Sequence, residues 1–434
     1  MVESKLNNIL KKCKRLSILY VGLIVLFLLI MSISYAIPTK SIIDHTKESL
    51  TILETEGPYP KVMSNSISNQ LDNFTDAWML SIAMDGDSRH PVKSALENSF
   101  RKNDNAENKV DNLSKTIDDD NAEKGSYSRY WHGYLMFLKP LLTKLNYEEI
   151  RYINSFILIG VFILVCYLIK RELGTRYSLA FMISMIMIRV LIAPMSLQFS
   201  NMFYVMFLST VAILIYHKKI KVDELGIYIF FIIGSITSFF DLLTAPLLSL
   251  GIPLIVYLML EERENKLIKN FIITIKLSIF WAIGYAATWA SKWIIASAVL
   301  RKNIVKESLS QILVRTSSTA ENSVLNKYEI IQMNNDLIFN DITIKIFLVI
   351  LLLWLIILLI SRKNKILNML PILIIGIYPY IWYSVLKNHS YMHCWFTYRS
   401  LGITVFSVLV FMSYSIDKTK IKDKLKKYRK IYYK

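Results

Sequence analysis

The chain has 434 residues, 54% of them hydrophobic and only 19% charged, with 51 Lys and Arg against 33 Asp and Glu for a formal net charge of +18. A soluble chain of this length divides into domains with far more surface charge, whereas these apolar residues fall in runs of about 17–25, long enough to cross a hydrocarbon core about 30 Å thick. Collagen, disulfide-rich scaffolds and ordinary cytosolic enzymes are excluded, and the expected fold class is an all-α polytopic membrane protein with about 10 transmembrane helices and a long first extracytoplasmic loop.

The chain opens with a segment, 1–16, in which Lys11, Lys12, Lys14 and Arg15 precede the first apolar run, 17–37. That run exceeds a signal-peptide core and is followed by Pro38-Thr39-Lys40 where cleavage would need small residues, so it reads as a retained first span. Further runs lie at about 152–169, 178–194, 199–217, 225–241, 244–260, 271–297, 342–360, 366–386 and 400–416. With the N-terminus inside, the connections 170–176, 217–221, 261–270 and 361–365 and the basic tail 417–434 all become cytoplasmic, and each is rich in Lys or Arg. The short outer connections 193–198 and 242–245 contain neither. Alternation therefore predicts a multi-pass cell-membrane protein with both termini in the cytoplasm. Basic clusters beside spans also suit anionic headgroups, while DNA or RNA binding would need a basic face on a soluble module. Membrane lipid is an expected partner and nucleic acid is not.

Three longer segments then face outward. The first, 38–151, precedes the spans of 152–299; the second, 300–341, precedes the spans of 342–416, which enclose the third, the polar stretch 387–399. Within the first loop, 103–124 is acidic, rich in Asn and poor in apolar residues, and is expected to be a flexible insert. Its flanks, 71–84 and 130–145, carry apolar and aromatic residues at helical spacing and predict two interfacial helices. Cys13, Cys166 and Cys394 suggest neither a disulfide nor a zinc site.

Residue combinations with chemical potential concentrate in these outer segments. Asp72 and Asp76 stand four apart, on one face of a helix, with Phe74 and Trp78 on adjoining sides. A carboxylate held at an interface has its pKa raised by desolvation, which suits a general base; the plainer reading is a residue that starts or solvates the helix. Asp85-Gly86-Asp87 reads as a turn. In 127–134, Arg129, Trp131 and His132 interleave with tyrosines, as a membrane belt or as a sugar-stacking, phosphate-binding site. Arg189, roughly 18 Å along the third span at 1.5 Å per residue, and Asp241, at the outer end of the fifth, pair with other spans or line a hydrated cavity. His389 and His393 have metal-compatible spacing but no third ligand, so contact with sugar or phosphate is expected of them and of Tyr398 and Arg399. Arg315 is a further phosphate candidate. No cofactor is assigned; a divalent metal is possible but not predicted.

With its first span, long external loop bearing an early Asp, and many later spans, the chain resembles the GT-C superfamily of membrane glycosyltransferases. More closely, it resembles membrane proteins of Gram-positive surface-polysaccharide clusters, in Tyr130-Trp131-His132-Gly133-Tyr134, in Phe239-Phe240-Asp241-Leu242-Leu243-Thr244, and in Asn388-His389-Ser390 with Trp395-Phe396-Thr397-Tyr398-Arg399. The resemblance implies a bacterial enzyme that transfers sugar from a polyprenyl-phosphate donor to a cell-surface or cell-wall polysaccharide, with a first-loop Asp as catalytic base. That position falls on Asp76, the first choice, or Asp72; an acidic pair directly after span one is lacking, Asp44 and Glu48 being the nearest acids. The rival readings are a flippase or transporter of a lipid-linked saccharide, which the absence of an internal repeat disfavours, and a polysaccharide polymerase or ligase with a similar outer site.

Overall fold

The structure is a computed structural model describing residues 2–220, 223–261, 266–320 and 323–421. The basic tail beyond 421, and parts of the connections 217–221 and 261–270, lie outside the described residues. Val2–Tyr35 (α1) leads into a first-loop region built from Lys40–Glu48 (α2), Leu50–Glu56 (α3), Asn73–Met84 (α4), Pro91–Glu97 (α5), Ser99–Lys102 (β1), Lys109–Thr116 (α6), Glu123–Ser126 (β2) and Leu135–Leu142 (α7). The helices Tyr147–Glu172 (α8), Thr175–Met187 (α9), Leu197–Ile220 (α10), Asp223–Phe240 (α11), Leu248–Leu260 (α12) and Leu267–Leu300 (α13) follow. The remainder comprises Ile304–Thr316 (α14), a small hairpin of Thr319–Ala320 (β3) and Ser323–Val324 (β4), then Lys327–Asp336 (α15), Asp341–Ser361 (α16), Leu370–Ile375 (α17), Tyr378–Val385 (α18), Lys387–Met392 (α19), Cys394–Thr397 (α20) and Gly402–Ser415 (α21).

Among the described residues, seven helical stretches are long and apolar enough to cross a membrane: Leu10–Tyr35, Tyr147–Glu172, Leu197–His217, Leu267–Leu300, Asp341–Ser361, Ile366–Val385 and Cys394–Ser415; Leu225–Phe240 and Leu248–Leu260 are apolar but shorter. The chain is a mostly helical, multi-pass membrane protein. The apolar run 178–194 is helical only to Met187. Arg189 then adopts a left-handed φ of 62°, and Pro194, which lacks an N–H to donate, sits in the short turn that follows. Most of the window in Cys394–Ser415 is buried (78%), whereas none is in Asp341–Ser361, so α21 is a central post and α16 stands at the periphery. Trp354 of α16 donates its indole N–H to the Ser415 hydroxyl at 2.8 Å.

Two large cores divide the molecule. One joins α8–α13 to α15 and α17–α21; the other packs α1 with the first-loop region and reaches Phe239 at the end of α11. Two buried lysines add polar ties, Lys139 within the loop region and Lys292 between that region and α13. Lys139 donates from α7 to the Ala83 carbonyl in the last turn of α4 at 2.7 Å, and Lys292 donates from α13 to the Ala95 carbonyl in the last turn of α5 at 2.7 Å. Cations near the C-terminal carbonyls of a helix offset its dipole, so each lysine caps one loop helix.

Three expectations for the first loop are corrected. The segment 103–124 is not a structureless insert: β1 and β2 pair across it, with Ser99 opposite Ser126, and α6 between them buries Val110 and Leu113. Asn108 caps α6 by accepting from the Val110 and Asp111 amides, a role that composition alone conceals. Helix α4 does not lie on an interface either, since Asp76, Ala77 and all of 79–84 are buried; a helix apolar around its whole circumference belongs in a core. The helix expected over 130–145 begins only at Leu135. His132 adopts φ 55°, and the Gly133 amide bonds to the Phe239 carbonyl at 2.8 Å. A Cβ on Gly133 would meet the Phe239 ring at 2.5 Å, so only glycine permits this approach.

Candidate functional site

Asp72 and Asp76, so similar in sequence, take different positions. Asp72 is the N-cap of α4, its Oδ1 accepting from the Thr75 amide at 3.0 Å and its Oδ2 from the Thr75 hydroxyl at 2.9 Å. Burial pushes its carboxyl up to about 7, against the lowering effect of these bonds and of the Arg399 charge, with Asp76 raising it further. Asp76 points toward the start of α10. Its Oδ2 accepts from the Tyr147 hydroxyl at 2.7 Å and the Leu197 amide at 2.8 Å, and its Oδ1 accepts from the Gln198 amide at 3.0 Å. Burial also raises the Asp76 pKa, opposed by those three donors. A carboxylate at a helix N-terminus with every contact made inside the protein is an anchor.

Asp76→Ala is therefore expected to destabilise the fold, since it leaves two amides and a phenol buried without an acceptor, at about 1–3 kcal/mol for each unsatisfied group. Thermal unfolding of the purified protein in detergent checks this; an unchanged midpoint would reject the anchoring role.

Arg399 lies in the turn between α20 and α21 and is 1% exposed. Its Nη1 donates to the Trp395 carbonyl at 2.7 Å, and its guanidinium carbon sits 4.0 Å from the centre of the Phe199 ring. Its Nε and Nη2 are buried without a partner. Arg189 stands nearby, held by the Asn69 side chain at 2.8 Å, and Tyr398 donates its hydroxyl to the Ser68 carbonyl at 2.9 Å. The segment 66–72 thus connects the two arginines with Asp72. An aromatic wall borders this group: Tyr59, 38% exposed, stacks on Phe74 at 5.7 Å and meets the Trp395 edge at 5.5 Å.

A second cluster forms around Asp241, which is 3% exposed. It accepts from the Thr244 amide at 2.8 Å and the Tyr285 hydroxyl at 3.0 Å. Leu243, beside it, has φ 68°, unfavourable for a bulky side chain, and its carbonyl accepts from the His389 Nε2 at 2.8 Å. That bond makes Nε2 the protonated nitrogen of a neutral imidazole; burial lowers the pKa of both His389 and His393, with the Arg315 charge adding to it. Arg315 reaches in from α14 over the Tyr130 ring, 5.8 Å from its centre. His393, 4.9 Å from His389 and in edge contact with Trp395, joins this cluster to the Arg399 group. Gln198, whose amide is bound by Asp76, donates to the Thr244 hydroxyl at 3.3 Å and forms another bridge.

The remaining candidates belong elsewhere. Trp131, expected to contact sugar, is 1% exposed and packed beside Phe27 and Phe239, with its indole N–H on the Thr288 carbonyl at 2.7 Å; a ring with no open face is core. Both His132 ring nitrogens are engaged within its own segment, with the Tyr134 hydroxyl at 2.9 Å and the Tyr127 carbonyl at 3.0 Å, and burial lowers its pKa to about 3. His132 fixes the 127–134 loop. Arg129 pairs with Glu307 at 3.1 Å. The Asp85–Asp87 pair forms a turn, with Asp85 on Lys124 and Asp87 on Arg89 and His90.

Sequence reasoning missed Tyr59, Ser68, Asn69, Gln198 and Tyr285, all ordinary residue types without a local pattern. Two surface cavities, one lined by Tyr257, Lys269 and Lys276 and the other by Tyr328, Asn335 and Phe347, contain none of the candidate groups. Among the described residues, no three His, Cys, Asp or Glu come together as a metal site. What the arrangement offers is a desolvated carboxyl, guanidinium nitrogens with free hydrogen-bonding capacity, and aromatic faces at one end of the bundle. No family model, curated protein or solved structure matches the chain.

Proposed function

We propose that the protein is a GT-C-type glycosyltransferase of the cell membrane, moving a sugar from a polyprenyl-phosphate donor to a cell-surface polysaccharide on the extracytoplasmic face. The observation that carries this reading is Arg399, buried to 1% with Nε and Nη2 unpartnered, close enough for its charge to act on a carboxyl poised at about 7. A buried guanidinium without a counter-ion is costly, and a planar fork of donors suits a phosphate oxygen pair. In the reaction, Asp72 takes the proton of an acceptor hydroxyl as that oxygen bonds to the anomeric carbon. The bond from that carbon to the phosphate oxygen breaks, and the electron pair leaves with the phosphate, whose charge Arg399 and Arg189 stabilise. The wall of Tyr59, Phe74 and Trp395 offers faces on which a sugar ring stacks.

This reading takes ten spans with both termini inside, supported by the Lys and Arg bias of the expected inner connections. Nucleotide sugars are cytoplasmic, so an outward site needs a lipid-carried donor. Purified protein in lipid vesicles, given a synthetic polyprenyl-phosphate sugar and extracted polysaccharide, is expected to form a new glycosidic bond. Passage of the lipid-linked sugar across the bilayer without transfer would replace this reading with the flippase. Asn121→Cys, in an exposed turn of the first loop, is expected to react with an impermeant thiol reagent in intact cells; reaction only after lysis would place the site on the wrong side.

A further inference from the structure

Arg315 raises a question separate from Arg399. It comes from α14, one of the elements between the two blocks of apolar helices, yet its Nη1 is buried without a hydrogen-bond partner. Another of its nitrogens lies within bonding reach of the Tyr130 hydroxyl. Arg315 has no ion pair among the described residues, while the neighbouring arginine, Arg129, is matched by Glu307. The facing carboxylate, Asp241, is engaged by Thr244 and Tyr285 and does not close a salt bridge with it. His389 and His393 contribute neutral imidazoles, and the Nδ1 of His393 is buried without a partner. Aromatic rings lie beside these groups: Tyr130 is 5.5 Å from Trp289, which in turn meets Tyr285 at 6.0 Å.

A desolvated guanidinium lacking a counter-ion calls for an oxyanion. Tyrosine and tryptophan rings beside a carboxylate are what sugar faces and hydroxyls require. Resting on the glycosyltransferase reading, we infer that Arg315, Asp241, Tyr130 and His393 form the acceptor subsite and that the acceptor is an acidic saccharide, its anionic group seated on Arg315. On this inference there are two oxyanion positions, the donor phosphate on Arg399 and the acceptor's own charge on Arg315. His393 and Trp395 stand between them.

The test uses full-length protein in phosphatidylcholine nanodiscs, with binding of four probes followed calorimetrically: inorganic phosphate, pyrophosphate, a uronic-acid disaccharide, and the neutral disaccharide with its carboxylates reduced to alcohols. The uronic probe is expected to bind and the neutral one to bind at least about tenfold more weakly, in line with the strength of charge-assisted bonds. Arg315→Gln should remove that preference, and Arg315→Lys should retain part of it, with melting temperatures confirming that both variants fold. Arg399→Gln should weaken phosphate and leave the uronic probe unaffected. Equal binding of the two disaccharides, or uronic binding indifferent to Arg315→Gln, would overturn the acceptor subsite. Loss of pyrophosphate instead of uronate in Arg315→Gln would assign the second oxyanion to the donor and equally overturn it. Phosphate binding that survives Arg399→Gln would defeat the donor site while leaving this inference standing.

Discussion

Asp72→Asn is expected to lower sugar transfer by about 10²–10⁴-fold, the usual contribution of a general base, with thermal stability and donor binding nearly unchanged. Asn keeps the size of the side chain, and its carbonyl oxygen still accepts from the Thr75 amide that caps α4. What it lacks is basicity. The wild-type rate should also depend on pH in a definite direction. Only the ionised carboxylate accepts a proton, and burial holds its pKa at about 7. Turnover should therefore fall as pH drops through about 7 and level off above it, while the residual rate of the Asn variant should lack this limb. A variant that transfers sugar at near wild-type rate, or that retains the limb, would show that Asp72 is not the base.

Arg399→Gln should weaken donor phosphate binding by about 10–100-fold, the loss of one hydrogen bond to a charged group at about 1.5–3 kcal/mol. Its effect on the empty protein should have the opposite sign. The guanidinium rests in the fold with two nitrogens unpartnered, and the desolvation cost of about 1–3 kcal/mol for an unsatisfied group is larger for a charged group than for a neutral amide. The unliganded variant should melt at or above the wild-type temperature, while added inorganic phosphate raises only the wild-type midpoint. A variant that melts lower and still responds to phosphate would make Arg399 a packing residue.

The apolar runs were readable because lipid imposes the same demand on every residue of a span. Where they contain Pro371 and Pro379, or Arg189 ahead of Pro194, the helices break as backbone chemistry requires. The first loop was not readable in the same way. Its order depends on Leu113 and Val110 of α6 entering a core shared with α4 and α1, contacts distant in sequence. The candidate site was legible in part: helical spacing drew attention to Asp72, and charge within or beside the apolar runs to Asp241, Arg189 and Arg399. Nothing local distinguished Asp72 from Asp76, because their roles depend on which of them faces the α10 amides. Trp131 and His132 misled for a related reason. An aromatic-rich segment looks the same whether its rings face solvent or another helix.

The closing of the Arg399 group over Ser68 has a consequence for biosynthesis. Tyr398 reaches the Ser68 carbonyl across 330 positions, and Lys292 reaches Ala95 across 197. At ~5–20 residues per second of synthesis, the first of these contacts waits roughly 20–60 s after its earlier half leaves the ribosome. Throughout that interval the apolar α4 lacks part of its final cover, a period open to proteases and to chaperones. Chains truncated before residue 398 should insert yet remain unusually sensitive to proteolysis near 60–75, because the contacts that close over that segment are among the last parts of the molecule to exist.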